Sequence, residues 1–233
     1  MKVKVIIPVS TDKWNENVAS DYQRVKRPET SIEIIRLKQG PEAIQSEYDE
    51  ANSTPFVLQE VTRAAKAGDH AIIIYCFSDP ALYAAREIST IPVLGIGESS
   101  QLFAMSLADR IGILATLDQT IPKIRRKLTA WGILARFPSI RPLEIPVLDY
   151  DQPERVLKRA LEVATSMVKE EGVEALILGC GSLFDLSKKL QEALSVPVIT
   201  PGEVTLKQAE VMVELGLSQS KRTYMIPLPV KVH

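Results

Sequence analysis

Cys76 and Cys180 are the only cysteines in the chain. Each closes an apolar run and is followed at once by small or polar residues. Ile72 to Pro80 reads IIIYCFSDP, and Leu176 to Leu183 reads LILGCGSL. A thiol with an ordinary pKa of about 8.5 can serve as acid or base near neutrality. Two thiols on opposite sides of one small molecule suit inversion at a carbon bearing an acidic proton. One thiolate removes the proton from one face, the opposite thiol delivers a proton to the other, and the roles exchange for the mirror-image substrate. The planar enolate between them needs hydrogen-bond donors for its oxygen. Backbone N–H groups after each cysteine and the hydroxyls of Thr11, Ser78, Thr116 and Ser182 are candidates. Ser10, Phe77, Asp79 and Gly181 complete the expected substrate-binding set. A single strand-end cysteine is most often a small buried hydrophobe; the matched placement of two argues for a joint role.

The elements that must position these residues are legible as apolar runs at Val3–Pro8, Ser31–Arg36, Ala71–Tyr75, Val93–Ile96, Arg110–Ala115, Ala175–Leu178 and Val196–Ile199. Most are continuous rather than alternating, as expected of strands covered on both faces. Amphipathic helical stretches lie between them, clearest at Thr54–Ala67 and Pro153–Glu171. Strand–helix alternation predicts an α/β fold with largely parallel sheets. The pattern also repeats. GDHAIIIYCFSDP starts at Gly68 and GVEALILGCGSLF at Gly172, 104 positions later, the spacing that also separates the cysteines. Thr11 and Thr116 are 105 apart, and a Gly-Glu pair follows each Pro-Val strand at matched distance. In open parallel sheets, ligands bind outside the carboxyl ends of the strands. Two such halves packed about a pseudo-twofold axis would bring Cys76 and Cys180 to one cleft.

Other classes lack their signatures. With 28 Lys and Arg against 29 Asp and Glu, the net charge is −1, so no basic excess points to nucleic acid or a membrane surface. No run approaches transmembrane length, and the N-terminal apolar run is too short for a secretory signal, so a cytoplasmic protein with reduced thiols is expected. Two cysteines with no histidine near either make a poor metal site. His70 precedes a strand and is expected at the surface; His233 is the last residue and is expected to fray. No phosphate-binding glycine loop is present. Asp79 with Pro80 resembles a helix N-cap and first helical residue, and Glu98 and Glu203 read as helix starts. Trp14, Tyr75, Phe77 and Phe103 read as core that could also border a substituent pocket.

At these motifs the sequence resembles the aspartate/glutamate/hydantoin racemase superfamily, and within it the hydantoin racemase branch. The resemblance rests on GPEAIQSEYDEA from Gly40, CFSDPALYAAREI from Cys76, PVLGIGES from Pro92, LILGCGSL from Leu176 and VPVITPGE from Val196. It departs from the family pattern where Ser78 and Ala81 replace glycines, where GCGSL stands at the second site, and where Thr200-Pro201 replaces an Asp-Pro. The resemblance implies two Rossmann-like lobes, one of residues 1–98 plus 204–233 and one of 99–203. It further implies cofactor-independent racemisation of a small molecule by Cys76 and Cys180, and a homo-oligomer. The Asn-Thr and Thr-His pairs typical of glutamate racemases are missing, which favours a 5-substituted hydantoin over a free amino acid. An enzyme resembling maleate isomerase or arylmalonate decarboxylase, and a non-catalytic metabolite-binding protein, are the competing expectations.

Overall fold

The structure, a computed structural model, describes residues 1–228; His233 lies outside them. Two four-stranded sheets, every pairing parallel, form the framework. The first contains β1 (Lys2–Ile7), β2 (Ser31–Arg36), β3 (Ala71–Ile74) and β4 (Val93–Gly95), in the order β2-β1-β3-β4. The second contains β5 (Ile111–Ala115), β6 (Ser139–Pro142), β7 (Ala175–Leu178) and β8 (Val198–Ile199), in the order β6-β5-β7-β8. The two orders are the same, as the sequence repeat predicts. The expected runs fall on seven of these strands, with ends shifted by up to two residues. β6 was missed because SIRP is short and polar and ends on a proline.

β1, β3, β5 and β7 are central, and the last three are continuous apolar runs. Every residue of β3, β5 and β7 is buried, because helices cover both faces. Edge strand β2 alternates instead, with Ser31, Glu33 and Arg36 exposed. The helices are α1 (Asn15–Val25), α2 (Glu47–Lys66), α3 (Leu82–Ile88), α4 (Ile96–Ala104), α5 (Ile121–Ala130), α6 (Pro153–Lys169), α7 (Leu186–Leu194) and α8 (Pro201–Glu214). α4 leads out of the first sheet toward the second. α8 returns, placing Leu206 and Ala209 in one core cluster with Val3, Val5, Ile73 and Tyr75. No helix among the described residues is long and apolar enough to cross a membrane.

α2 begins seven residues before the expected Thr54. Pro55 lies inside the helix. The earlier start is held by a cap: the Asp49 N–H donates to Ser46 Oγ at 3.1 Å, and Asp49 Oδ2 accepts from Ser46 Oγ and from the Gln45 N–H. That reciprocal cap adds nearly two turns, and those turns carry Glu47 and Glu50.

Candidate active site

The neighbours of β1 and of β5 mark where each sheet changes winding direction, and it is there that α/β sheets hold ligands. Cys76 and Cys180 emerge at these two points, two residues beyond β3 and β7 respectively. Both are free thiols, both are half-buried, and both line one pocket between the lobes. Each is held by a tight turn: the Asp79 N–H donates to the Cys76 carbonyl at 2.9 Å, and the Leu183 N–H to the Cys180 carbonyl at 3.5 Å. The repeat persists in the backbone beyond the thiols. Ala81 and Asp185, also 104 positions apart, both take the left-handed conformation just before α3 and α7.

Tyr75 ties the two cysteine loops together. Its hydroxyl donates to the Gly181 carbonyl at 3.1 Å, and its ring stands edge-on to Tyr22 at 5.7 Å. One side of the ring lies against Gly181 and the other against Gly202; a Cβ at either glycine would come within 2.6 Å of it. These are close approaches that only glycine permits.

Burial dominates the thiol electrostatics. It pushes the Cys76 thiol up to about 12, and the nearby Cys180 and Glu50 add to the rise. The Ser78 backbone N–H and the Lys123 ammonium act in the opposite direction. Burial raises Cys180 as well, offset in part by Ser182, whose N–H donates to Cys180 Sγ at 3.4 Å. Each thiol therefore has a donor two residues further along, again at matched positions.

Of the residues expected at the site, Cys76, Phe77, Ser78, Thr116, Cys180, Gly181 and Ser182 line the pocket. Ser10 and Thr11 do not. β1 ends at Ile7, so Pro8 and Val9 take the rim position that Thr116 holds after β5, and Thr11 Oγ1 accepts from the Lys13 N–H. Asp79 does not line it either, and its capping role needs correction. α3 starts at Leu82, with Pro80 outside it. The Asp79 carboxylate instead caps α4, accepting from the Gly97 N–H at 2.8 Å and the Glu98 N–H at 2.7 Å, and it pairs with Lys127. Glu98 and Glu203 sit in the first turns of α4 and α8, paired with Arg86 and Arg24. Trp14 and Tyr75 are buried and border the pocket; Phe103 is exposed and does not.

A polar wall completes the pocket, built from residues that no catalytic motif in the sequence marks. Gln45, Ser46, Glu47 and Glu50 come from the first lobe; Gln119, Thr120, Lys123 and Lys127 face them from the second, and Gln101 comes from α4. Gln119 Nε2 donates to the Gln45 carbonyl at 3.1 Å, the Val147 N–H donates to Gln45 Oε1 at 3.1 Å, and Lys123 pairs with Glu50. Reading Ser46 and Asp49 as a helix cap would have placed Glu47 and Glu50 on a helix start. Their facing partners lie over seventy positions away and have no local signal. Among the described residues, no group of three or more His, Cys, Asp or Glu side chains is placed to hold a metal ion.

The chain has known relatives. The family model Asp/Glu/Hydantoin racemase matches residues 3–209. A hydantoin racemase of Pseudomonas sp. (strain NS671) is 34% identical over 229 residues, 97% of this chain and 92% of that protein. Two solved structures cover all of this chain. The allantoin racemase from Klebsiella pneumoniae has a TM-score of 0.92 and 30% identity over 96% of its length. The allantoin racemase from Pseudomonas fluorescens has a TM-score of 0.94 and 28% identity over its whole length. With two like-ordered parallel sheets and a pocket at their facing switch points, the chain belongs to the Asp/Glu/hydantoin racemase family and is an isomerase of the racemase class.

Proposed function

We propose that this racemase acts without a cofactor on 5-substituted hydantoins, with Cys76 and Cys180 as its acid/base pair. The observation that carries the reading is that both thiols of the chain line one pocket, each two residues past a central strand of its own sheet. In the step proposed, one thiolate takes the ring C5 proton, and the C–H electron pair moves into an enolate with the neighbouring carbonyl. The opposite thiol then protonates C5 from the other face. The product is the other enantiomer, with thiol and thiolate exchanged, so the enzyme is poised for the reverse reaction. The N–H groups of Phe77 and Gly181, next to the thiols, have no backbone acceptor among the described residues and are suited to receive enolate charge.

Charge balance supports a neutral ring over a free amino acid. The two lysines that line the pocket are each paired with a carboxylate, Lys123 with Glu50 and Lys127 with Asp79. No arginine is among the lining residues, so nothing there resembles an unpaired clamp for a substrate carboxylate. The relatives named as hydantoin and allantoin racemases support the same choice, since allantoin is itself a 5-substituted hydantoin.

The test incubates an enantiopure 5-alkyl hydantoin, and separately enantiopure allantoin, in deuterated buffer. Optical rotation and the C5–H proton signal are followed together. Both should decay above the uncatalysed rate, and Cys76→Ala and Cys180→Ala should each abolish the loss of rotation. Full racemisation by either variant would refute the two-thiol assignment. Inactivity on both substrates, with turnover of maleate or an amino acid, would refute the substrate class.

A further inference from the structure

Gln101 is assigned no part in the reaction above. It sits on α4, is 1% exposed, and lines the pocket that contains both thiols. Its Oε1 is buried without a hydrogen-bond partner among the described residues. Native interiors rarely tolerate this, because a buried polar atom without a partner loses its hydration and gains nothing. Other buried unpartnered side-chain atoms belong to Asn15, Tyr22, Ser139 and Tyr150, none of which lines the pocket. Among the buried side-chain atoms of the pocket wall, the unmet hydrogen-bonding capacity therefore lies at one amide.

A primary amide carries a donor and an acceptor side by side. Its complement is a cis-amide edge, a ring N–H next to a ring C=O, which a hydantoin presents and an open-chain carboxylate does not. We infer that Gln101 is a specificity-determining residue that pairs with the N–H/C=O edge of the substrate ring, an inference that rests on the hydantoin reading above. The ring N–H donates to the side-chain carbonyl, and the side-chain NH₂ donates to the ring carbonyl. No proton is transferred; the pair orients the ring so that C5 lies between the thiols.

The experiment compares Gln101→Leu with the parent protein on a 5-alkyl hydantoin and on its N1-methyl and N3-methyl derivatives. The variant should lose roughly tenfold to a hundredfold in kcat/KM on the unmethylated ring. On the derivative whose methyl group replaces the paired N–H, the parent should already be impaired and the variant should lose little more. The melting temperature of the free variant should be unchanged or higher, since a buried atom without a partner is removed. An equal loss on all three substrates, or no loss on any, would overturn the inference, as would a large fall in melting temperature with unchanged KM. A parent protein inactive on every hydantoin would show instead that the reaction reading had failed, and this inference with it.

Discussion

Gly181→Ala should separate the geometry of the thiols from the stability of the fold. A Cβ at Gly181 would lie 2.6 Å from Tyr75 Cε1 and 3.0 Å from Ile96 Cδ1, where ordinary contact begins at 3.4 Å. The two sides must therefore part by about 0.8 Å. The Tyr75 ring cannot yield easily, because Gly202 closes its far side and Tyr22 meets its edge. The loop carrying Cys180 is left to move, and the thiol moves with it. Overpacking of this kind costs about 1–3 kcal/mol, or roughly 2–12 °C of melting temperature for a chain of this size. A catalytic group displaced by about 1 Å costs on the order of 10²-fold in rate. The assay is optical rotation with an enantiopure hydantoin, beside a thermal melt. Gly132→Ala is the control. Its φ is +73° with nothing within 4 Å of a new Cβ, so it should lose about 1 kcal/mol through backbone strain and keep its rate. A Gly181→Ala enzyme with the parent rate would refute the claim that Tyr75 sets the position of the Cys180 loop.

Because burial holds both thiols above their ordinary range, with Cys76 at about 12, kcat/KM should still be rising at pH values where an ordinary thiol is fully ionised. Glu50→Gln should move that limb to lower pH and Lys123→Met to higher pH; shifts of the same sign, or a plateau by pH 8, would refute the electrostatic account of Cys76. Burial also raises the Asp21 carboxyl to about 6 against the pull of Arg24, from an ordinary 3.8. With the folded-state value above the unfolded one, its contribution to stability is full below about pH 4 and lost as the pH rises through about 6. Asp21→Asn should therefore gain relative to the parent by up to about 3 kcal/mol between pH 4 and 7 in urea unfolding; a pH-independent difference would refute this.

The sequence alone determined the central strands, since a strand covered on both faces must be a continuous apolar run, and β3, β5 and β7 have no other way to be buried. It determined the parallel connection through its strand–helix alternation. It also determined the matched places of Cys76 and Cys180 in the two halves, because a duplicated unit carries its landmarks at a constant offset. Local chemistry reached less far. Asp79 has the composition of a cap, yet which helix it caps depends on α4 arriving beside it from across β4. The amphipathic stretch reads as a helix from Thr54, and the reciprocal Ser46–Asp49 cap carries its start back to Glu47. Thr11 matches Thr116 in spacing, but the chain after β1 turns away from the rim and leaves Pro8 and Val9 there. The tertiary structure alone decided the polar wall. Glu50 and Lys123, Gln45 and Gln119, and Tyr75 and Gly181 are each more than seventy positions apart. Such pairs have no period or spacing to betray them, because they exist only once the two lobes have closed on each other.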